Sequence, residues 1–445
     1  MLKINFLSST PLWFFHLIPY KIGECFFINL LSLFIVQVVG GSITDVGKTS
    51  SLVSLAGVVA FILWGNLSDQ LGSRRPFLIL GYVGFSLCMG LISVADNLIQ
   101  VQQCSIVAGF LMAAIIPVST ALLLETVPEK QWSQSLGRFY LIGSWSFVIA
   151  LIGGGIWQEV FSDLWGSVSA MRSLFVFAAG VSLLSLILCL MWVQEPQQVR
   201  STRSFSPLLL GRLSVAVIER GVLFYPSRMI YFILRPEWLT QIQQQIYSPL
   251  NLYYICSALL FLAIQIVYLA FPIFLAEVLG ATNSLIFLIV FGKALIEAFL
   301  YFPIGQFAQK HDSIRLLTWV TAVRVGIFMI FTILALLKPT PMSLVIIGFA
   351  HLFTGLTWAV INVASTLSVA RLATKGEEGM ALGVYNSIIG VATILGSLVS
   401  GYLAASFGYS VCFATGTFLT GLTVVCFWLL EFIMEKGSET MPSLS

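Results

Sequence analysis

Gly65-Asn66-Leu67-Ser68-Asp69-Gln70-Leu71-Gly72-Ser73-Arg74-Arg75-Pro76-Phe77 is a short polar segment between two apolar runs, each long enough to cross a bilayer. Asp69 and the Arg74/Arg75 pair bring both signs of charge into a few residues, which excludes the segment from hydrocarbon. Gly65 and Gly72 allow the backbone to turn and neighbouring helices to approach closely. The physical reading is a tight charged hairpin joining two membrane helices, with the whole segment outside both spans.

Composition agrees. Of 445 residues, 58% are hydrophobic and only 9% charged, far from the roughly 25% charged fraction of a soluble protein. An all-α integral membrane protein follows. The net charge of +3 and the lack of a run of like charges give no support to nucleic-acid binding. Seven widely spaced cysteines, all in apolar segments, read as packing residues and not as disulfides. His16, His311 and His351 are too scattered for a metal site, so neither a metal nor a cofactor is expected. Gly41-Ser42-Ile43-Thr44-Asp45-Val46-Gly47-Lys48-Thr49 imitates a phosphate-binding loop, but five residues separate its glycines where four are required, and no strand precedes it. The chain therefore offers no site for ATP. The apolar run near the amino terminus outlasts a signal peptide and reads as a retained first span.

A span needs about 20 apolar residues, and such windows fall near 13–38, 50–66, 77–95, 101–124, 139–160 and 172–193, then near 250–275, 284–304, 316–336, 342–369, 380–404 and 411–431. Twelve transmembrane helices in two six-helix bundles are expected: 1–193, a linker 194–249, 250–432, and a tail 433–445. With the amino terminus inside, most of the 22 basic residues fall in cytoplasmic loops and only Lys48, Arg172 and Lys338 fall outside. Both termini and the linker are thereby expected on the cytoplasmic face of the cell's inner (plasma) membrane. Within the linker, Leu208 to Ile218 and Val222 to Leu234 are apolar but broken by Arg212, Pro226 and Arg228, which suits lying on a lipid surface. The halves read as diverged copies. Pro303-Ile304-Gly305 closes span 8 as Leu63-Trp64-Gly65 closes span 2, and Leu382-Gly383 opens span 11 as Leu136-Gly137 opens span 5.

Gly65, Leu67, Asp69, Gly72 and Arg74 fall on the G-x-L-a-D-r-x-G-r-k signature between spans 2 and 3 of major facilitator superfamily transporters, which the sequence resembles. Gln70 and Ser73 stand where that family usually has a basic residue. The resemblance implies two bundles that rock about a midplane cavity lined by spans 1, 4, 7 and 10, with Gly65, Asp69, Gly72, Arg74 and Arg75 as the conformational hinge. Asp69 would meet the amino-terminal end of span 11 when the cytoplasmic side is closed. Span 4 lacks the arginine of many proton-linked drug exporters, and span 5 has Gly143 and Gly153-Gly154-Gly155 without the proline of the antiporter motif. Both absences count against a drug–proton antiporter.

Ionisable groups inside a span cost roughly 2.5 to 3.5 kcal/mol each, so each is a candidate for function. In span 1, Lys21 and Glu24 share a helical face with Tyr20 and His16. Either Glu24 binds a proton or cation with Lys21 tuning it, or the two form a neutral packing pair. In span 8, Lys293 and Glu297 are four apart with Tyr301 a turn further, a coupling site or a structural pair. Arg324 in span 9 has no local partner and must find an acid, a carbonyl or water across an interface. His351, Thr354, Trp358 and Asn362 in span 10, and Tyr254, Ser257, Phe261, Gln265 and Tyr268 in span 7, form stripes on single helix faces. Under the resemblance, Gln265, Tyr268, His351, Thr354, Trp358 and Asn362 become substrate-cavity candidates; without it, they are helix-packing hydrogen bonds. Their chemistry suits a weakly polar organic solute. The expected function is secondary active transport of a small organic molecule by a monomer in lipid, driven by a proton or sodium gradient. The alternative is a non-transporting receptor or assembly factor of the same fold.

Overall fold

The structure is a computed structural model that describes residues 11–127, 132–195, 248–373 and 378–439. Helices account for nearly all of it, as they must where no water is present to satisfy a free backbone. After a single 3-10 turn, Leu12–His16, come α1 (Leu17–Gln37), α2 (Ile43–Leu71) and α3 (Arg75–Ser93). The fourth rod is broken into α4a (Leu98–Met112) and α4b (Ile115–Thr126). Pro117 explains the break, because it lacks an N–H and its ring crowds the carbonyl of Ala113. The first half ends with α5 (Trp132–Trp165) and α6 (Ser167–Trp192). The second comprises α7 (Pro249–Glu277), α8 (Asn283–Lys310), α9 (Ser313–Leu336), α10 (Pro341–Leu372), α11 (Glu378–Phe407) and α12 (Tyr409–Glu439).

Among the described residues, eleven of these rods are long and apolar enough to cross a membrane. The twelfth, α2, has the length, 29 residues, but carries Asp45, Lys48 and several hydroxyls in its first turns. Large apolar side chains such as Leu87, Ile149, Phe349 and Trp428 lie exposed on the outside, the inverse of a soluble protein and the surface that lipid requires. The linker expected at 194–249 lies almost wholly outside the described residues, and α12 continues through the start of the expected tail.

The reading of Gly65–Phe77 as a hairpin lying wholly outside both spans needs correction. Helix α2 runs on to Leu71, so Gly65 and Asp69 belong to its last turns, and only Gly72, Ser73 and Arg74 are unwound before α3. The apolar run sets where the helix leaves hydrocarbon, not where it stops; the stop comes at Gly72, with φ +58°.

The two halves repeat in their turns as well as in their helices. The connection after α1 folds back with Val38 and Val39 N–H on Phe34 O and Gly41 N–H on Ile35 O; after α7, Val278 and Leu279 bond Phe274 O and Ala281 bonds Leu275 O, 240 positions later. Gly40 (φ +67°) and Gly280 (φ +66°) occupy the matching left-handed position. Gly166 and Gly408, between α5 and α6 and between α11 and α12, form a second such pair. These four mark one end of the molecule, called here the glycine-turn end; Gly72 marks the opposite, hinge end.

Helices α1–α6 pack on one another and α7–α12 on one another, and the bundles meet chiefly where α2 packs on α11 and α5 on α8. The repeat exchanges these two seams. In the first, Thr44 Oγ1 donates to Gly401 O (3.2 Å) and Ser51 Oγ to Ile394 O (2.9 Å). The helices touch closely enough that a methyl group on Gly401 would stand 2.9 Å from Ile43 O and 3.1 Å from Gly47 Cα. In the second seam, Phe287 fills the space over Gly154, Trp145 meets Phe299 edge-on at 5.2 Å, and Asn283 reaches Gln37 (3.2 Å) and Ser167 (3.3 Å). These contacts between bundles lie at the glycine-turn end or near mid-depth.

Replacing Gly401 by Val forces backbone against backbone and should cost about 1–3 kcal/mol of stability. A cysteine at Ser51, buried under α11, should then react with a maleimide several-fold faster than in the Gly401 parent. Unchanged labelling would mean that this contact does not hold the seam.

Candidate functional site

Polar side chains gather at two depths within the bundles, and the larger cluster belongs to the second half. A cavity of about 400 Å³ is lined by Phe261, Ile264, Gln265, Tyr268, Lys293, Trp358, Ile389 and Thr393, from α7, α8, α10 and α11. Helical spacing on α7 brings Phe261, Ile264, Gln265 and Tyr268 to this one face. Pro272, one turn beyond, deprives the Tyr268 carbonyl of its intrahelical hydrogen bond. Gln265 is held by its amide, which donates to Ser397 Oγ of α11 at 2.9 Å.

Lys293 is the charged group on the wall. Its ammonium pairs with Glu297 (2.6 Å) and stands 5.4 Å from the centre of the Trp358 ring. Glu297 also accepts from Tyr301 Oη (2.6 Å), whose oxygen in turn accepts from Asn362 Nδ2 (2.9 Å). Both carboxylate oxygens are thus engaged, which is what keeps an ion pair tolerable at this depth.

Arg324, fully buried, stands one layer behind the wall. It donates to Thr357 Oγ1 through Nε (3.1 Å) and NH2 (2.8 Å), and through NH2 to Thr354 O (3.0 Å) and Tyr268 Oη (3.3 Å). Its guanidinium lies 5.5 Å from the ring centre of Trp358 and 5.6 Å from that of Tyr268. Of the partners foreseen for it, a carbonyl is present, joined by hydroxyls and aromatic faces. Among the described residues no carboxylate lies within ion-pair distance, and NH1 has no hydrogen-bond partner.

Of the six cavity candidates, Gln265, Tyr268 and Trp358 line the cavity. Asn362 acts behind it through Tyr301. Thr354 and His351 do not reach it: Thr354 Oγ1 bonds His351 O (2.6 Å), and the His351 ring is stacked on Phe271 at 4.3 Å between α7 and α9. Those two belong to helix packing. Ile264 on α7 and Thr393 and Ile389 on α11 were not foreseen; Thr393 lies one turn and Ile389 two turns before Gly396, where α11 approaches α7 closely.

In the first half, Lys21 and Glu24 form an ion pair, with Tyr20 Oη donating to Glu24 at 2.9 Å. The Tyr20 amide also reaches Ser185 Oγ of α6 (2.7 Å), while its ring packs on Tyr82 and Phe85. Lys21 lies along Gly143 of α5. His16 is buried and turned away, bonding the Trp13 carbonyl.

At the hinge end, Arg74 is 7% exposed and its guanidinium spans two elements: Glu125 at the end of α4b accepts from Nε (3.2 Å) and NH2 (2.5 Å), and Ser68 accepts from NH1 (2.7 Å). Glu195 closes the amino end of α3, accepting from the amides of Arg74 (3.0 Å) and Arg75 (2.6 Å) and from Ser73 Oγ (3.0 Å), where the helix dipole favours a negative charge. Arg75 donates to Leu190 O of α6. Glu125 and Glu195 were missed in the sequence; each is an acid just before a proline at the end of an apolar run. The side chain of Asp69 and the residues before α11 lie outside the described set, and with them the contact expected between the two.

A second cavity, about 370 Å³, opens at the glycine-turn end between the bundles, lined by Gln37, Gln158, Glu159, Asp163, Thr282 and Asn283 among others.

Comparison with known proteins gives a consistent picture. The family model described as "Major Facilitator Superfamily" matches residues 15–351 and 253–442. "Multi-drug resistance efflux pump PmrA homolog" of Lactococcus lactis subsp. lactis (strain IL1403) is 23% identical over 89% of this chain and 91% of its own length. "Multidrug resistance protein MdtG" of Serratia proteamaculans (strain 568) is 31% identical, but over only 34% of each chain. Among solved structures, the D-xylose-proton symporter superposes with a TM-score of 0.70 at 13% identity, covering 94% of this chain and 96% of that one.

The Arg74–Glu125 bond should appear as coupling. In a double-mutant cycle of Arg74→Ala and Glu125→Ala, followed by unfolding in detergent, the pair should couple by about 1–3 kcal/mol. Strictly additive losses would mean that it contributes nothing.

Proposed function

This chain belongs to the major facilitator superfamily, and from that premise we propose that it is a secondary active transporter carrying a small organic solute across a bilayer by alternating access. One observation carries the reading: two six-helix bundles meet chiefly along two exchangeable seams, and an aromatic-walled cavity with a partly buried ion pair lies beside them. Two rigid bodies joined at two seams have a natural rocking coordinate.

In this reading the chain divides into bundles 1–193 and 250–432, with 194–249 between them and 433–445 after them. The distribution of basic residues puts the hinge end, both termini and the linker in the cytoplasm. With that orientation the described seam contacts lie toward the outer side and mid-depth of the membrane. The Arg74–Glu125 bond and the Glu195 cap tie α2, α3, α4b and α6 into one body at the inner surface. Gly72, in its left-handed conformation, breaks the backbone there between α2 and α3.

Glu24 and Lys21 supply the coupling site. The buried Glu24 carboxylate, bonded to Lys21 and Tyr20, is the group of the first half through which a proton or cation would act. Relatives named for multidrug resistance favour an organic solute and an outward direction. A route through an arginine of α4 is closed to this chain, since that helix has none, and Glu24 and Glu297 are the buried carboxylates left to serve.

In proteoliposomes, Glu24→Gln should abolish accumulation driven by an imposed proton or sodium gradient while leaving solute exchange within about twofold of the parent. Full accumulation in the variant would remove Glu24 from the mechanism. Absence of both accumulation and exchange for the parent across a panel of organic solutes would favour a non-transporting role.

A further inference from the structure

The second-half cavity carries a charge that its own residues do not cancel. Glu297 pairs with Lys293 and also feels Arg324 from beyond ion-pair distance, so one carboxylate faces two cations; the direct partners of Arg324, among the described residues, are hydroxyls, one carbonyl and ring faces. Neutral partners leave its positive charge standing in a region where an unpaired charge is expensive. One face of Trp358 or another is already shared by two cations, Lys293 at 5.4 Å and Arg324 at 5.5 Å.

The wall is set with donors. Tyr268 Oη accepts from Arg324, which leaves its own proton to be given into the cavity. Thr393 adds a hydroxyl, and the Lys293 ammonium has donors beyond the one used on Glu297. Glu297, engaged by Lys293 and Tyr301, is not on the wall. Phe261, Tyr268 and Trp358 provide flat apolar surfaces for a ring.

We propose that this cavity binds an organic monoanion, an aromatic compound bearing one carboxylate or sulfonate, whose charge completes the Lys293–Glu297–Arg324 cluster. The anionic group sits against Lys293 and Tyr268, Arg324 supplies its field through the Tyr268 hydroxyl, and the ring lies against Trp358 and Phe261. An organic cation of the same shape meets two positive groups and no free carboxylate. Calling the occupant a cargo rests on the transport reading; its binding does not.

The test uses three probes with one ring system: 1-naphthaleneacetate, its neutral amide, and the cationic 1-naphthylethylammonium. Binding to the full-length protein in lipid nanodiscs is followed by calorimetry, and the anion should bind about tenfold or more tighter than either of the others. Arg324→Gln, and the double variant Lys293→Gln/Glu297→Gln that removes the pair without stranding a carboxylate, should each lose most of that preference. The exposed Lys338→Gln should keep it. Cation binding tighter than anion binding, an anion preference untouched in both variants, or no binding of any probe would overturn the proposal. If Arg324→Gln does not fold, the double variant alone decides. Counterflow of the same probes in proteoliposomes separates the two readings: exchange of the amide without anion preference leaves transport standing and removes the anion site, whereas anion binding without exchange of any probe does the reverse.

Discussion

An ionised side chain in hydrocarbon has to be met by an opposite charge, a hydrogen bond or a ring face, and this fold is arranged around three such debts. Lys21 with Glu24, Lys293 with Glu297, and Arg324 with its hydroxyls and aromatic faces lie within helices that must otherwise be apolar to span lipid. None of these groups faces the lipid-exposed surface, and each brings a tyrosine with it: Tyr20, Tyr301 and Tyr268. The phenol does what water would do outside the membrane, spreading charge over a second group. Helices that carry these residues can pack only with the polar faces inward, which fixes their rotation in the bundle.

The second constraint is that the bundles stay joined without becoming one body. Seams α2–α11 and α5–α8 are built from opposite materials: the first from small residues and hydroxyls bonding to backbone, the second from aromatic rings over glycine. Neither seam contains an ion pair among the described residues. What joins them, among the described residues, is packing and a few neutral hydrogen bonds. The charged bonds among the described residues lie inside a bundle, as at Arg74–Glu125, which ties α3 to α4b.

Much of this was legible in the chain. Hydropathy located all twelve rods, although α2, α5 and α12 run seven or eight residues past the expected windows at one end, and the hairpin motif led to the family. The inequivalent parts of the site were harder, for physical reasons. Periodicity along α10 placed His351, Thr354, Trp358 and Asn362 on one face, but the face is broad, and aromatic residues of α7 and α9, invisible to a reading of α10 alone, close over its outer half and leave Trp358 to the cavity. The charge pairs three or four residues apart were found because a helix puts them in contact. Arg74 with Glu125 and Ser73 with Glu195 were not, being 51 and 122 residues apart. The end of α2 was misplaced because hydrophobicity reports where lipid ends, whereas the backbone ends its helix where Gly72 turns.

The central claim is that the two bundles tilt about the seams as rigid bodies. Spin labels at Lys48 and Tyr402 report on the glycine-turn end of the α2–α11 seam, and labels at Leu71 and Val384 on its hinge end, all four side chains being exposed. Distance distributions from pulsed electron resonance, recorded in nanodiscs at two pH values and with a bound solute, should move reciprocally, one pair lengthening as the other shortens. Distributions at both ends that stay fixed, or that widen and narrow together, would contradict the account.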